Sequence, residues 1–161
     1  MALESSIEIQ GLGDPLLQGA IVGATVSEID GVSPTTIIRT DQAWEIKVDW
    51  NLEGSLLGTP FFNFVGEWVV SAFLESMGPP TEYALPTGGG VRVGVGTFTL
   101  PDPLDDTHRD YTATIPVSAD TVDPGVYKMV VAITYESSPG TPGPIAGFHE
   151  GGMFQFYTPS P

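Results

Sequence analysis

The sequence contains no cysteine, and this absence excludes several chemistries at once. Without thiols, the 161-residue chain forms no disulfides, has no cysteine nucleophile and builds no cysteine-ligated zinc site. It also lacks any apolar run approaching the roughly 18 residues that a membrane-spanning helix needs. The segment from Met1 to Gln10 carries glutamates but no lysine or arginine, so it does not predict a secretory signal. We therefore expect a chain that is cytoplasmic or released without a cleavable signal peptide, and that does not insert into a membrane.

Positive charge is also scarce, because five lysines and arginines stand against 20 aspartates and glutamates, for a net charge of −15. The basic residues are scattered along the chain: Arg39, Lys47, Arg92, Arg109 and Lys128. Binding to nucleic acid or to an anionic membrane surface needs clustered cations. We therefore expect no nucleic-acid partner, and an acidic surface that serves solubility.

Helical periodicity is missing as well, and the chain is rich in turn formers, with 20 glycines and 15 prolines. Apolar and polar residues instead alternate with a period of two, which is typical of half-buried strands. Six main strands are predicted on this basis, over residues 44–52, 67–75, 91–99, 110–118, 126–136 and 152–157. Pro116 removes a backbone donor from its strand and therefore predicts an edge position or a bulge.

The N-terminal part of the chain is less regular and predicts an extra β segment. Weaker strand patterns cover residues 7–10, 21–29 and 35–40, and a short one covers residues 82–85. Asp30 and Gly31 form a hairpin signal between residues 21–29 and 35–40. We expect one domain over residues 1–157, in which residues 1–34 are an extension packed on or beside it. Residues 158–161 are expected to form a frayed tail.

One motif distinguishes between the sandwich and the barrel that regularly spaced short strands allow. The segment Asp123-Pro-Gly-Val-Tyr127-Lys-Met129 resembles the tyrosine corner of immunoglobulin-like domains, and Trp68 stands where that family has a buried tryptophan. The resemblance implies an all-β, immunoglobulin-like antiparallel β-sandwich with Greek-key connections, in which the six main strands are strands B to G. It also implies that Trp68 and Tyr127 are structural, with the Tyr127 hydroxyl bonded to backbone before Asp123.

Two loops between the predicted strands carry apolar side chains. Phe61 and Phe62 lie between strands B and C, and the loop between strands F and G contains Phe148, His149 and Glu150. Both loops emerge at the same end of an immunoglobulin-like sandwich, so these residues are predicted to form an interaction site. The competing interpretation is that the phenylalanines fold inward and close the end of the core.

A second candidate surface follows from the alternation in strands C and F. If Trp68, Tyr127 and their alternate neighbours face the core, four apolar side chains face outward: Val69, Phe73, Val130 and Ala132. Such a group on neighbouring strands needs a cover. Either residues 21–29 or another subunit supplies it.

The acidic segment 102–110 has the composition of a calcium site. Ca²⁺ takes six to eight oxygen ligands, and this segment offers four aspartates: Asp102, Asp105, Asp106 and Asp110. The spacing matches no EF-hand, and Asp and Pro are ordinary turn residues, so a solvated turn is the competing interpretation. No other cofactor is expected.

No catalytic motif emerges, because the chain has no Gly-x-Ser-x-Gly and its glycines at 88–90 precede a strand rather than a helix. The sequence predicts a non-enzymatic structural or protein-interaction module, either a subunit or adaptor of a larger assembly or a self-associating domain. The alternative is a ligand-binding module, for carbohydrate or a Ca²⁺-dependent partner, that uses loops at one end of the sandwich. A small enzyme is the third interpretation.

Overall fold

The computed structural model describes residues 5–9, 16–29, 35–59, 65–78 and 82–160, whose regular secondary structure is almost entirely β-strand. They form the strands β1 (Ser5–Ile9), β2 (Gln18–Glu28), β3 (Ile37–Arg39), β4 (Trp44–Glu53), β5 (Glu67–Ser76), β6 (Glu82–Leu85), β7 (Val91–Gly94), β8 (His108–Val117), β9 (Gly125–Ser138) and β10 (Thr141–Tyr157). The 3₁₀ turn Ser55–Gly58 is the only helical element among the described residues. The prediction of an all-β fold is confirmed.

The strands form one sheet with the order β6–β5–β9–β10–β1–β2–β4–β8 along its main path. Neighbours along this path run antiparallel. The first half of β5 also pairs with β7, and β3 adds in parallel to the end of β10. Pro116 lies on β8 at the end of the strand order, as its missing N–H predicted.

The sheet curls until its two ends face each other across one hydrophobic core. Trp50 on β4 stacks on Tyr111 of β8, with ring centroids 5.5 Å apart. Trp68 on β5 meets both rings edge-on, at 6.1 Å from Trp50 and 5.4 Å from Tyr111. Because β5 and β8 stand near opposite ends of the strand order, these contacts require the sheet to bend round the core.

Four of the six main predicted strands match β4, β5, β8 and β9 within one or two residues at each end, whereas the bounds of the other two are wrong. The strand predicted over residues 91–99 ends at Gly94, where the Thr97 N–H donates to the Gly94 carbonyl in a turn. The last strand begins at Thr141 rather than at residue 152.

The predicted N-terminal extension is part of the sheet, because β1 and β2 stand between β10 and β4. The weak pattern over residues 21–29 belongs to β2, which pairs with β1 and β4 and so does not cover β5 and β9. The expected hairpin between β2 and β3 is wrong, since β3 pairs in parallel with β10. Asp30 and Gly31 lie outside the described residues.

Tyr127 and Trp68 are both fully buried, with 2% and 0% of their surface exposed. The Tyr127 hydroxyl donates to the carbonyl of Asp123 over 2.8 Å, so the acceptor is Asp123 itself rather than a residue before it. Asp123 N–H in turn donates to the hydroxyl of Tyr83 over 3.1 Å. This network ties the start of β9 to β6. Beyond β10, the Thr158 hydroxyl lies 3.0 Å from that of Thr40.

Candidate functional site

The outer face of β5, β9 and β10, which is turned away from the core, carries a group of apolar side chains. Phe73 pairs with Val130 across one row of the sheet, and Ala132 pairs with Phe148 in the next row. Phe73 and Phe148 are 41% and 64% exposed, whereas Val69 and Val130 are half-buried. We call these five residues the face patch.

Ala132 differs from its predicted state, because only 8% of its surface is exposed. Its short side chain lies between longer neighbours, with Phe148 opposite it on β10. It therefore forms the floor of the face patch rather than a projecting contact. Ala84 on β6 is exposed, pairs with Phe73 and extends the patch, but a lone alanine gives no signal in a sequence.

Charged side chains surround the face patch, and its two cations are both paired. Lys128 Nζ lies 2.9 Å from Glu150 Oε1, and Arg92 Nη1 lies 2.8 Å from Glu136 Oε1. These hydrogen bonds raise the pKa of Lys128 and Arg92 and lower the pKa of Glu136. The rim remains acidic, because it also includes two carboxylates on β5 and β6, Glu75 and Glu82.

The three residues predicted to form an end loop between strands F and G lie instead within β10. Phe148, His149 and Glu150 pair in register with residues 132, 131 and 130 of β9. His149 is 7% exposed, and its Nδ1 lies 2.9 Å from the hydroxyl oxygen of Ser5. The loop assignment is therefore wrong for all three, and Phe148 belongs to the face patch. Phe61 and Phe62 lie outside the described residues.

Close packing of glycines explains why residues 139–147 look like a loop in sequence. A Cβ at Gly143 would lie 2.3 Å from Cδ2 of Tyr135, and one at Gly147 would lie 2.9 Å from Cγ1 of Ile7. Shifts in the β9–β10 register around Pro142 accommodate the prolines. Glycines at these positions interrupt the alternation of apolar and polar side chains by which a strand is recognised. No local signal in the sequence therefore reveals this part of β10.

The acidic segment 102–110 begins with turns in which aspartate side chains accept hydrogen bonds from nearby residues of the same segment. Asp102 accepts a hydrogen bond from the Leu104 N–H, and Asp105 accepts two from Thr107. These bonds from Thr107 lower the pKa of Asp105. The structure does not bring Asp102, Asp105, Asp106 and Asp110 together. Within the described ranges, no group of three or more His, Asp or Glu side chains is placed to hold a metal ion.

A groove of about 740 Å³ lies on a different surface, beside the end strand β8. Its lining includes Lys47 and Asp49 from β4, Asp110 and Thr112 from β8, and residues of the segment 97–101. His108, also in the lining, has its ring nitrogens 3.4 Å from carboxylate oxygens of Glu53 and Asp110. The groove leaves no signal in the sequence, because its walls come from segments far apart in the chain.

None of the described residues forms a helix of the length and apolarity that crossing a membrane requires.

A solved structure of another protein is similar to this chain in its fold. The chain is similar to a solved structure, the crystal structure of the C-terminal domain of Wzt, with a TM-score of 0.51 and 12% identity. The alignment covers 97% of this chain and 80% of that one. No protein-family model matches the chain, and no curated protein matches it significantly. At this identity the likeness shows an all-β fold and nothing about ligand or partner.

Proposed function

We propose that this chain is a non-enzymatic protein-interaction module with an immunoglobulin-like sandwich architecture, and that it acts as a subunit or adaptor of a larger assembly. The strand pairs β4–β8, β5–β9 and β9–β10 support the architecture, because immunoglobulin-like domains pair strands B with E, C with F and F with G. The buried Tyr127, hydrogen-bonded to Asp123, is consistent with the tyrosine corner.

The face patch is the observation that carries the interaction function. Two phenylalanines, Phe73 and Phe148, stand 41% and 64% exposed on either side of the shallower Val130 and Ala132. Exposed aromatic side chains around an apolar floor are typical of the centre of a protein interface. A rim of charged residues surrounds this centre, as a polar rim surrounds most interfaces.

No described segment of the chain covers the face patch. Strand β2, which includes most of the segment expected as a lid, lies within the sheet between β1 and β4. A partner is therefore the cover that we propose. The acidic rim favours a partner whose own rim is basic, since complementary charge speeds association and like charge opposes it.

The experiment compares glutamate substitutions on and off the patch. Phe73→Glu and Phe148→Glu each place a carboxylate at the proposed interface, and Leu104→Glu places one at a side chain that is 96% exposed elsewhere. The tagged chain is purified from the cells that make it, and the stoichiometry of its complex is measured by light scattering. We expect a stoichiometric complex for the wild type and for Leu104→Glu.

The two patch variants should weaken that complex by about 30-fold or more, since central interface residues contribute roughly 2 kcal/mol or more. All three variants should keep the unfolding midpoint of the wild type, because the substituted side chains lie outside the core. A complex that survives both patch substitutions would overturn the proposal, and so would a wild-type chain that stays monomeric without a partner.

The alternative of a ligand-binding module at one end of the sandwich has less support among the described residues. Phe148, His149 and Glu150 lie in a strand rather than in an end loop, and the four aspartates do not converge. Among the described residues, no observation favours a calcium-dependent binding site over the face patch as the interaction surface.

A further inference from the structure

Strand β8 ends the sheet, and its outer edge is open over most of its length. On one side it pairs with β4 from His108 to Val117. On the other side, among the described residues, only Thr99 pairs with it, through reciprocal hydrogen bonds of 2.9 Å with Asp110. Beyond Asp110, no described strand continues this second ladder.

The direction of the free backbone groups follows from the Thr99 bonds. In a strand, the N–H and C=O of one residue point to the same side, and successive residues alternate. Since both groups of Asp110 point away from β4, those of Thr112 and Thr114 do as well. Pro116 is the next residue in this series, so it offers only a carbonyl.

The chain thus presents two donors and three acceptors in the spacing that another strand requires, namely the N–H groups of Thr112 and Thr114 and the carbonyls of Thr112, Thr114 and Pro116. Pro116 also shows that proline is tolerated at this edge, because its position needs no N–H for the β4 ladder.

The groove beside β8 places charged side chains next to this edge. On the outer face, Asp49 pairs with Thr112, and Lys47 pairs with Thr114. Neither Asp49 nor Lys47 forms an ion pair within the described part of the chain. A residue placed opposite Thr112 would have Asp110 as its diagonal neighbour. Asp49 lies in the same row on the far side of Thr112, within reach of a long basic side chain.

We propose that the open edge of β8 and the adjoining groove bind an extended segment of a partner protein. The segment adds a strand to the sheet and places a basic side chain opposite Thr112. This site is separate from the face patch, so neither proposal depends on the other.

A second copy of the chain fits this edge poorly. Antiparallel pairing of two β8 strands about Ala113 would place Thr112 opposite Thr114. The next pair would be Asp110 opposite Pro116, but Asp110 already bonds Thr99 and Pro116 has no N–H. The two copies would also bring two chains of net charge −15 together. A segment of a different protein need not form the pair of Asp110 with Pro116, because it can pair with Thr112 and Thr114 and continue along the edge to the Pro116 carbonyl.

The first test is amide hydrogen exchange on the free protein, followed by NMR. We expect the amides of Thr112 and Thr114 to exchange at least about 100-fold faster than those of Ala113 and Ile115, which bond to β4. Slow exchange at Thr112 and Thr114 would overturn the proposal, because it would mean that the edge is already covered.

The second test uses a phage-displayed library of random twelve-residue peptides, selected against the intact protein, with the enriched peptides then synthesised. We expect peptides with alternating apolar residues and one lysine or arginine. Thr114→Pro, which removes the edge N–H, should weaken their binding by about tenfold or more. The matched control Thr114→Val keeps that N–H and should bind as the wild type does.

Asp49→Asn should weaken the same peptides several-fold and reduce the salt dependence of binding. The unfolding midpoint of each variant establishes whether it is folded. If Thr114→Pro does not fold, Asp49→Asn is the variant that tests the site. The proposal is overturned if no peptide is enriched, or if the enriched peptides bind wild type and the folded variants equally. It is also overturned if light scattering shows a dimer that Thr114→Pro dissociates, since the occupant is then a second copy.

Discussion

Replacing Tyr127 by phenylalanine removes one oxygen from a buried side chain and isolates the contribution of the corner hydrogen bond. The hydroxyl donates to the Asp123 carbonyl over 2.8 Å, and only 2% of the Tyr127 surface is exposed. The ring contacts with Tyr83 and Phe156, at centroid distances of 5.9 and 5.5 Å, persist in the variant. The change in free energy of unfolding therefore reports the hydrogen bond rather than a cavity.

The magnitude follows from what the substitution leaves behind. A buried acceptor that loses its donor costs about 1–3 kcal/mol. Because Asp123 is an exposed residue, water reaches part of its carbonyl, and we expect the lower half of this range, about 1–2 kcal/mol. For a chain of this length that corresponds to a melting temperature lower by about 2–8 °C.

The assay is thermal and urea unfolding of the wild type, Tyr127→Phe and Tyr157→Phe. Tyr157 is 39% exposed and its hydroxyl has no hydrogen bond within the described residues, so its variant should stay within about 0.5 kcal/mol of the wild type. The urea dependence should not change, since both variants keep the same buried surface. A midpoint for Tyr127→Phe equal to that of Tyr157→Phe would refute the corner.

Two further predictions concern alkaline pH and the packing of β10. Burial raises the pKa of Tyr127 to about 12, against about 10 in the unfolded chain, so the folded state holds this proton more tightly. Stability from this group is complete below pH 10 and falls by about 1.4 kcal/mol per pH unit between pH 10 and 12. Urea unfolding at pH 9, 10 and 11 should show a shallower decline for Tyr127→Phe, and equal declines would contradict the pKa. Gly143→Ala should destabilise by about 1–3 kcal/mol, because its Cβ would meet the Tyr135 ring at 2.3 Å. Gly23→Ala, where nothing lies within 4 Å of the new Cβ, should show no such loss, and an equal loss in both would refute the packing argument.

The alternating segments could be located from the sequence because their signal is local. In β4, from Trp44 to Glu53, every second side chain is buried, and a strand with one buried face needs that period whatever its neighbours are. The same reasoning located β5, β8 and β9. The missing N–H of Pro116 predicted an edge position or a bulge, and the structure shows the edge. Four members of the face patch follow from this alternation, since inward residues fix the direction of those between them.

Pairing that the resemblance does not imply could not be predicted from the sequence, because it depends on which surfaces meet after the chain folds. Residues 139–147 carry the prolines and glycines of a loop, yet those from Thr141 onward form a strand, because β9 lies beside them and their glycines fit against Tyr135 and Ile7. That pairing alone places Phe148 opposite Ala132 and completes the face patch. The groove beside β8 has the same origin, since Lys47, Asp49 and Thr112 become neighbours only through the β4–β8 ladder. Period and turn chemistry are properties of a few consecutive residues and are written in the sequence, whereas strand neighbours, glycine contacts and open edges exist only once the sheet has curled round its core.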